Sequence, residues 1–130
     1  MSNFSIFQKF VEYLSSRGLA YTTASDTIIN YNYKGLNYMF QSFQDTDPYY
    51  FRIMLPKVSN KPVDRNMLNM INTINRDYKA VKTVEFESGV IWLVLETFVY
   101  SMDGIDQLFT RVMETLEEVI TIYRKKEAEL

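Results

Sequence analysis

The sequence has no cysteine and no histidine in 130 residues, and only 3 prolines and 4 glycines. Without those two residue types there is no disulfide framework, thiolate zinc site, histidine-ligated haem or nucleophile activated by imidazole. The one side chain that titrates near neutrality unaided is missing as well. Charge of neither sign dominates: 14 basic residues face 16 acidic ones, a net charge of −2. No basic field is available to neutralise a row of phosphates, so nucleic acid is not an expected partner. Long apolar runs are also missing. The longest, Val90 to Leu95, falls far short of the roughly 20 residues of a membrane-spanning helix. The opening MSNFSIFQKF has no cationic segment followed by an apolar core. The expectation is a cytoplasmic protein with no membrane partner, and a chain free of cysteine fits a reducing compartment. The tripeptide Asn3-Phe4-Ser5 matches the glycosylation acceptor pattern, but without a secretion signal it is read as chance.

What is present is a globular composition, 47% hydrophobic, with 10 Tyr, 9 Phe and 1 Trp. Residues 1–130 are read as a single domain, since this length suits one core. Phe4, Phe7, Phe10, Val11 and Leu14 recur at helical spacing, with Ser2 or Asn3 as cap and Gly18 as stop. The period then changes to two. TIINYNY, LNYMFQSF and YYFRIML read as three strands, joined by Lys34-Gly35 and by Asp45-Thr46-Asp47-Pro48; a short fourth is placed at 20–23. Pro56 to Pro62 reads as a connection. Asp64 is expected to cap a second helix running to about Tyr78. TVEFE and VIWLVLETFV, turned at Ser88-Gly89, form a hairpin. A final helix, introduced by Ser101 or Asp103, carries the apolar stripe Ile105, Leu108, Phe109, Val112, Met113, Leu116, Val119, Ile120 and Tyr123. Turns too short for crossovers imply an antiparallel sheet of five to six strands. With three helices packed on it, this is a two-layer α+β fold.

The groups that could carry chemistry each have a plainer reading. Asp45 and Asp47 have the spacing that opens a calcium loop, but Tyr50 and Pro56 stand where the loop needs glycine and a bidentate glutamate. Glu85, Glu87 and Glu96 could build a carboxylate pair, yet Glu85 and Glu87 alternate with Val84 and Phe86 as a solvated strand face does. Glu117 and Glu118 lie opposite the stripe of the last helix. The glycines are isolated, so no phosphate-cradling loop exists. No catalytic residue, metal or cofactor is assigned, and the protein is not expected to be an enzyme.

The strands carry the informative signal, because apolar residues occupy both of their faces. Either helices cover both sides, or Tyr31, Tyr33, Tyr38, Tyr50, Met54 and Trp92 leave an exposed patch of the kind that marks an interface. The second reading is adopted. A second surface is placed on the helix at 66–76, where Asn66, Asn69, Asn72 and Asn75 recur every third residue and Arg76 follows. Asparagine is a poor helix former, so four in one helix suggest another role; Asn75 and Arg76 could instead anchor the helix end against the next strand.

The segment Met67 to Tyr123 contains a helix ending Asn75-Arg76-Asp77, a hairpin turned at Glu87-Ser88-Gly89, an apolar strand and a last helix ending in Tyr123. It resembles the YbjN-like domain, a bacterial family labelled as sensory-transduction regulators, which shares its fold with the chaperones of type III secretion. The resemblance implies a non-enzymatic cytoplasmic module, often dimeric, whose relatives bind extended segments of partner proteins, with no catalytic residues to carry over. The expected function is therefore a chaperone- or adaptor-like binding module that presents an aromatic sheet surface to a partner polypeptide or to itself as a homodimer. The alternative is a small-molecule sensor holding its ligand between sheet and helices.

Overall fold

The computed structural model of the protein describes residues 5–130. Helix α1 spans Ile6–Ser16, and its cap is Ser5, whose side chain accepts from the Gln8 N–H at 3.2 Å. The caps expected at Ser2 and Asn3, and Phe4 at the head of the stripe, lie outside the described residues. Gly18, at φ 67°, closes the helix: Leu19 N–H bonds Leu14 O, and Gly18 N–H bonds Ser15 O. That pair of bonds is a Schellman motif, which needs a left-handed residue at this position.

Strands β1 (Tyr21–Thr23), β2 (Ile28–Tyr33), β3 (Leu36–Phe43) and β4 (Asp47–Ser59) follow. Lys34 and Gly35 both take positive φ, 51° and 83°. This is the two-residue turn whose twist matches that of paired strands. Asp47 accepts from Tyr49 N–H, which is turn chemistry at the head of β4. Strand β4 runs four residues beyond the expected end at Leu55. Pro56 ends regular pairing without ending the strand, because the register with the neighbouring strand shifts between Leu55 and Ser59 and Lys57 turns to φ 53°. A bulge is where a sheet tolerates proline.

Helix α2 (Arg65–Asp77) is capped as expected by Asp64, whose carboxylate accepts from Met67 N–H at 2.9 Å. Strands β5 (Val81–Glu87) and β6 (Val90–Phe98) form the hairpin, and α3 (Ile105–Ala128) closes the chain. Neither Ser101 nor Asp103 caps α3. Gly104 occupies that position in left-handed geometry, and Ser101 instead accepts from Asp103 N–H one turn earlier.

The six strands pair antiparallel throughout in the order β1-β2-β3-β4-β6-β5. All three helices lie on one side, since a single core joins Phe10 and Leu14 of α1, Met67 and Ile74 of α2 and Phe109 and Leu116 of α3 to alternate strand residues such as Ile29, Phe40, Ile53 and Leu93. Phenylalanine rings interlock at its centre. Phe10 stacks on Phe40 at 4.4 Å, and Phe109 meets both Phe10 and Phe51 edge-on at 4.9 and 5.4 Å. Two layers leave the opposite sheet face without a helix.

Candidate interaction surfaces

The uncovered face is built from the alternate residues of each strand. One cross-strand row runs Asn30, Met39, Met54, Val94 and Lys82, and the next runs Ile28, Gln41, Arg52 and Glu96. Met54 and Val94 are only 1% and 6% exposed although no helix lies over them; the side chains beside them in the sheet shield them from water. Toward the β5–β6 turn, Phe86 stacks on Trp92 at 4.3 Å, and Phe86 is 47% exposed. At the other end Tyr50 contacts Phe43 and Phe98 at 5.2 and 5.4 Å, and Phe98 is 54% exposed.

The polar groups on this face satisfy one another. Lys82 Nζ lies 2.5 Å from Glu96 Oε2, Tyr50 OH donates to Glu96 Oε1, and Arg52 Nε donates to Gln41 Oε1 at 2.9 Å. Lys82, and after it Tyr50, hold the Glu96 carboxyl below the usual carboxylate range. Desolvation, reinforced by the Glu96 carboxylate, pushes the Tyr50 phenol up to about 12.

Of the expected aromatic patch, Tyr50, Met54 and Trp92 belong to the open face. Tyr31 and Tyr38 do not. They are 3% and 2% exposed on the helix-covered side, stacked at 5.6 Å, with Tyr31 OH donating to Met113 Sδ of α3 at 2.8 Å. Burial raises the Tyr31 phenol well above its ordinary value and the Tyr38 phenol to about 12. Tyr33 is half-buried at the margin of the same core, edge-on to Tyr38. The correction has a physical cause: these residues share a strand face with Ile29, while Asn30 and Asn32 take the exposed one.

The asparagine face of α2 also separates into parts. Asn66, Asn69 and Asn72 are exposed. Asn75 bonds the main chain of β5 twice, accepting from Thr83 N–H at 2.7 Å and donating to Thr83 O at 3.0 Å. It takes the place of a neighbouring strand at the outer edge of the sheet, a position otherwise open to pairing with another chain. Arg76 bonds its neighbour Asp77. Phe86, Val94 and Phe98 also lie on the open face and were not singled out from the sequence; Val94 and Phe98 keep the strand parity of Trp92, which is the signal that could have found them, whereas Phe86, read from alternation as lying opposite a solvated face of Glu85 and Glu87, is itself exposed on Trp92. A groove of about 600 Å³ lies between the α2–β5 connection and α3, its members scattered over three elements.

No family model matches the sequence, and no curated protein matches it. Among solved structures, the fold is similar to that of the crystal structure of YbjN, "a putative transcription regulator from E. coli". The TM-score is 0.67 with 10% sequence identity over 93% of each chain. At that identity the likeness is one of fold alone.

Proposed function

We propose that this chain is a non-enzymatic, cytoplasmic binding module of the YbjN-like family, and that its open sheet face joins two copies as a homodimer. The observation that carries this reading is a helix-free sheet face that exposes Phe86 and Phe98 beside the part-buried rings of Trp92 and Tyr50, and whose charged side chains are hydrogen-bonded on the same face. In a two-fold contact a patch meets its own copy; here Lys82 is matched by Glu96 and Arg52 is held by neutral Gln41, so one excess positive charge per copy is the only repulsion among these groups that the aromatic contacts must outweigh. Size agrees: six strands at about 4.8 Å spacing and some 20 Å of strand length present roughly 500 Å² in projection, of the order of the ~800 Å² a partner contributes to a stable interface. Kinship of fold with a protein described as a transcription regulator suits a module that acts through contacts and not through chemistry. A ligand held at the centre of the core, the sensor alternative, would have to displace the interlocked Phe10, Phe40, Phe51 and Phe109 rings, which leaves that alternative only the groove beside α3.

Sedimentation equilibrium tests the proposal. The wild type is expected at twice 15.4 kDa, and Trp92→Lys at the monomer mass with an unchanged far-UV spectrum. A wild type that stays monomeric at high micromolar concentration defeats it.

A further inference from the structure

The aromatic groups of the open face sit at opposite ends of its strands. Trp92 and Phe86 lie toward the β5–β6 turn, whereas Phe43, Tyr50 and Phe98 lie where β4 begins and β6 ends. Between them run the row of Met54 and Val94 and the row of Arg52 and Glu96, so Trp92 and Phe98 stand roughly 20 Å apart along β6. Across the sheet the face is uneven, because β2 and the start of β3 present Asn30, Asn32 and Asn37, all exposed.

Stacked sheets keep their strands aligned, so a two-fold axis that joins this face to its copy runs either along the strands or across them. Along the strands, an axis at the middle of the sheet lays β6 over β2 of the second copy, and Trp92 and Val94 meet Asn32 and Asn30. Moved onto β6, the same axis stacks like ring on like ring but covers only β4, β6 and β5. That is roughly 250 Å² in projection against the ~800 Å² each partner gives to a stable interface. An axis across the strands, between the Met54–Val94 row and the Arg52–Glu96 row, covers all six strands and reverses their direction. Each Trp92 end then lies over the Phe98 end of the other copy, and Arg52 faces Met54 instead of its own copy.

We infer that the two-fold axis crosses the strands between those two rows, and that Trp92 with Phe86 of each copy seats against Phe98 and Tyr50 of the other. The contact has two equivalent aromatic seats around a polar centre, where Val94 covers the Glu96 carboxylate of the second copy that Lys82 and Tyr50 already bond. Neither seat is complete in one chain, and closed two-fold symmetry limits the assembly to two copies. The inference rests on the homodimer reading and specifies which side chains of the second copy complete the surface.

Complementation between two variants of the full chain is the test. Trp92→Lys and Phe98→Glu are each expected at the monomer mass in sedimentation equilibrium. Their equimolar mixture is expected to dimerise at least about tenfold more tightly than either alone, since one seat is then intact and the other joins the two substituted positions with opposite charge. The absence of cysteine gives a second measurement. Asn30→Cys, exposed in the row of Met54 beside the axis, is expected to cross-link to its own copy with bismaleimidoethane. Asn32→Cys, also exposed but roughly 20 Å from its copy, should do so at least about tenfold more slowly. A single variant that stays dimeric, a mixture that stays monomeric, or cross-linking of Asn30→Cys only after mixing with Val94→Cys overturns the inference. A monomeric wild type defeats the homodimer reading itself, whereas a dimeric wild type whose variants fail to complement defeats only the placement of the axis.

Discussion

The two faces of the sheet are both rich in apolar side chains, and they differ in how those side chains are held. On the covered face, Phe40 and Phe51 interlock with Phe10 and Phe109, and the polar groups there are few, chiefly tyrosine hydroxyls with Ser42 and Thr83. On the open face Met39, Met54, Val94 and Trp92 alternate with Arg52, Lys82 and Glu96. A face buried from the start can exclude charge altogether. One that meets water in the free chain and another surface in a complex needs apolar area together with polar groups already paired. The mixture on the open face is the one the proposed contact between copies calls for, since aromatic residues, Met and Arg are favoured at protein interfaces.

The comparison breaks most visibly under truncation. Phe109→Ala removes a ring in contact with Phe10, Tyr13 and Phe51, and should cost about 3–5 kcal/mol by urea unfolding. Trp92→Ala, measured in dilute monomer, should cost about 1 kcal/mol or less, because its ring is only part-buried and stacks on Phe86 alone among the described residues. Equal losses would mean that the two faces are equally enclosed, and the contrast would fail.

Edges sharpen the contrast next. Asn75→Ala deletes two bonds to Thr83 at the rim of the sheet and should cost about 1–3 kcal/mol. The same substitution at exposed Asn72 should change stability by less than about 0.5 kcal/mol. Inside, the Thr83 hydroxyl is buried without a partner among the described residues. Thr83→Val should therefore be neutral or stabilising by up to about 1 kcal/mol, read as a rise in Tm.

Most of the architecture was legible because periodicity reports burial directly. The last helix and the two hairpins followed from the apolar stripe at 105–123 and from Lys34-Gly35 and Ser88-Gly89. Alternation reports which residues share a face, but not which face the helices cover, since that is decided by contacts far apart in sequence. Tyr31 and Tyr38 were misplaced for this reason, although Asn30 and Asn32 already mark the wet side of their strand. Pro56 misled because a bulge absorbs a residue that regular pairing rejects. The groove had no local signal: Lys79, Leu95 and Arg111 meet only when α3 packs beside β6.

The smallest expected effect concerns charge on the open face. Glu96 titrates below its ordinary value because Lys82 and Tyr50 bond its charged form. Its contribution is complete above the unfolded glutamate value of about 4.3 and fades as the pH falls through the lower folded value. Tyr50 runs the other way, stabilising below its unfolded value of about 10 and losing that contribution as the pH rises through about 12. In the monomer these pairs are partly hydrated, so Glu96→Gln should cost less than about 1 kcal/mol at neutral pH and should flatten the acid limb of the stability profile. Closure by a second copy would strip that water and deepen the dependence of stability on Glu96 ionisation. Acid unfolding of wild type and Glu96→Gln should then diverge more at high protein concentration than at low. A divergence independent of concentration would show that Glu96 remains in water at every concentration, and the open face would lose its claim to be an interface between copies.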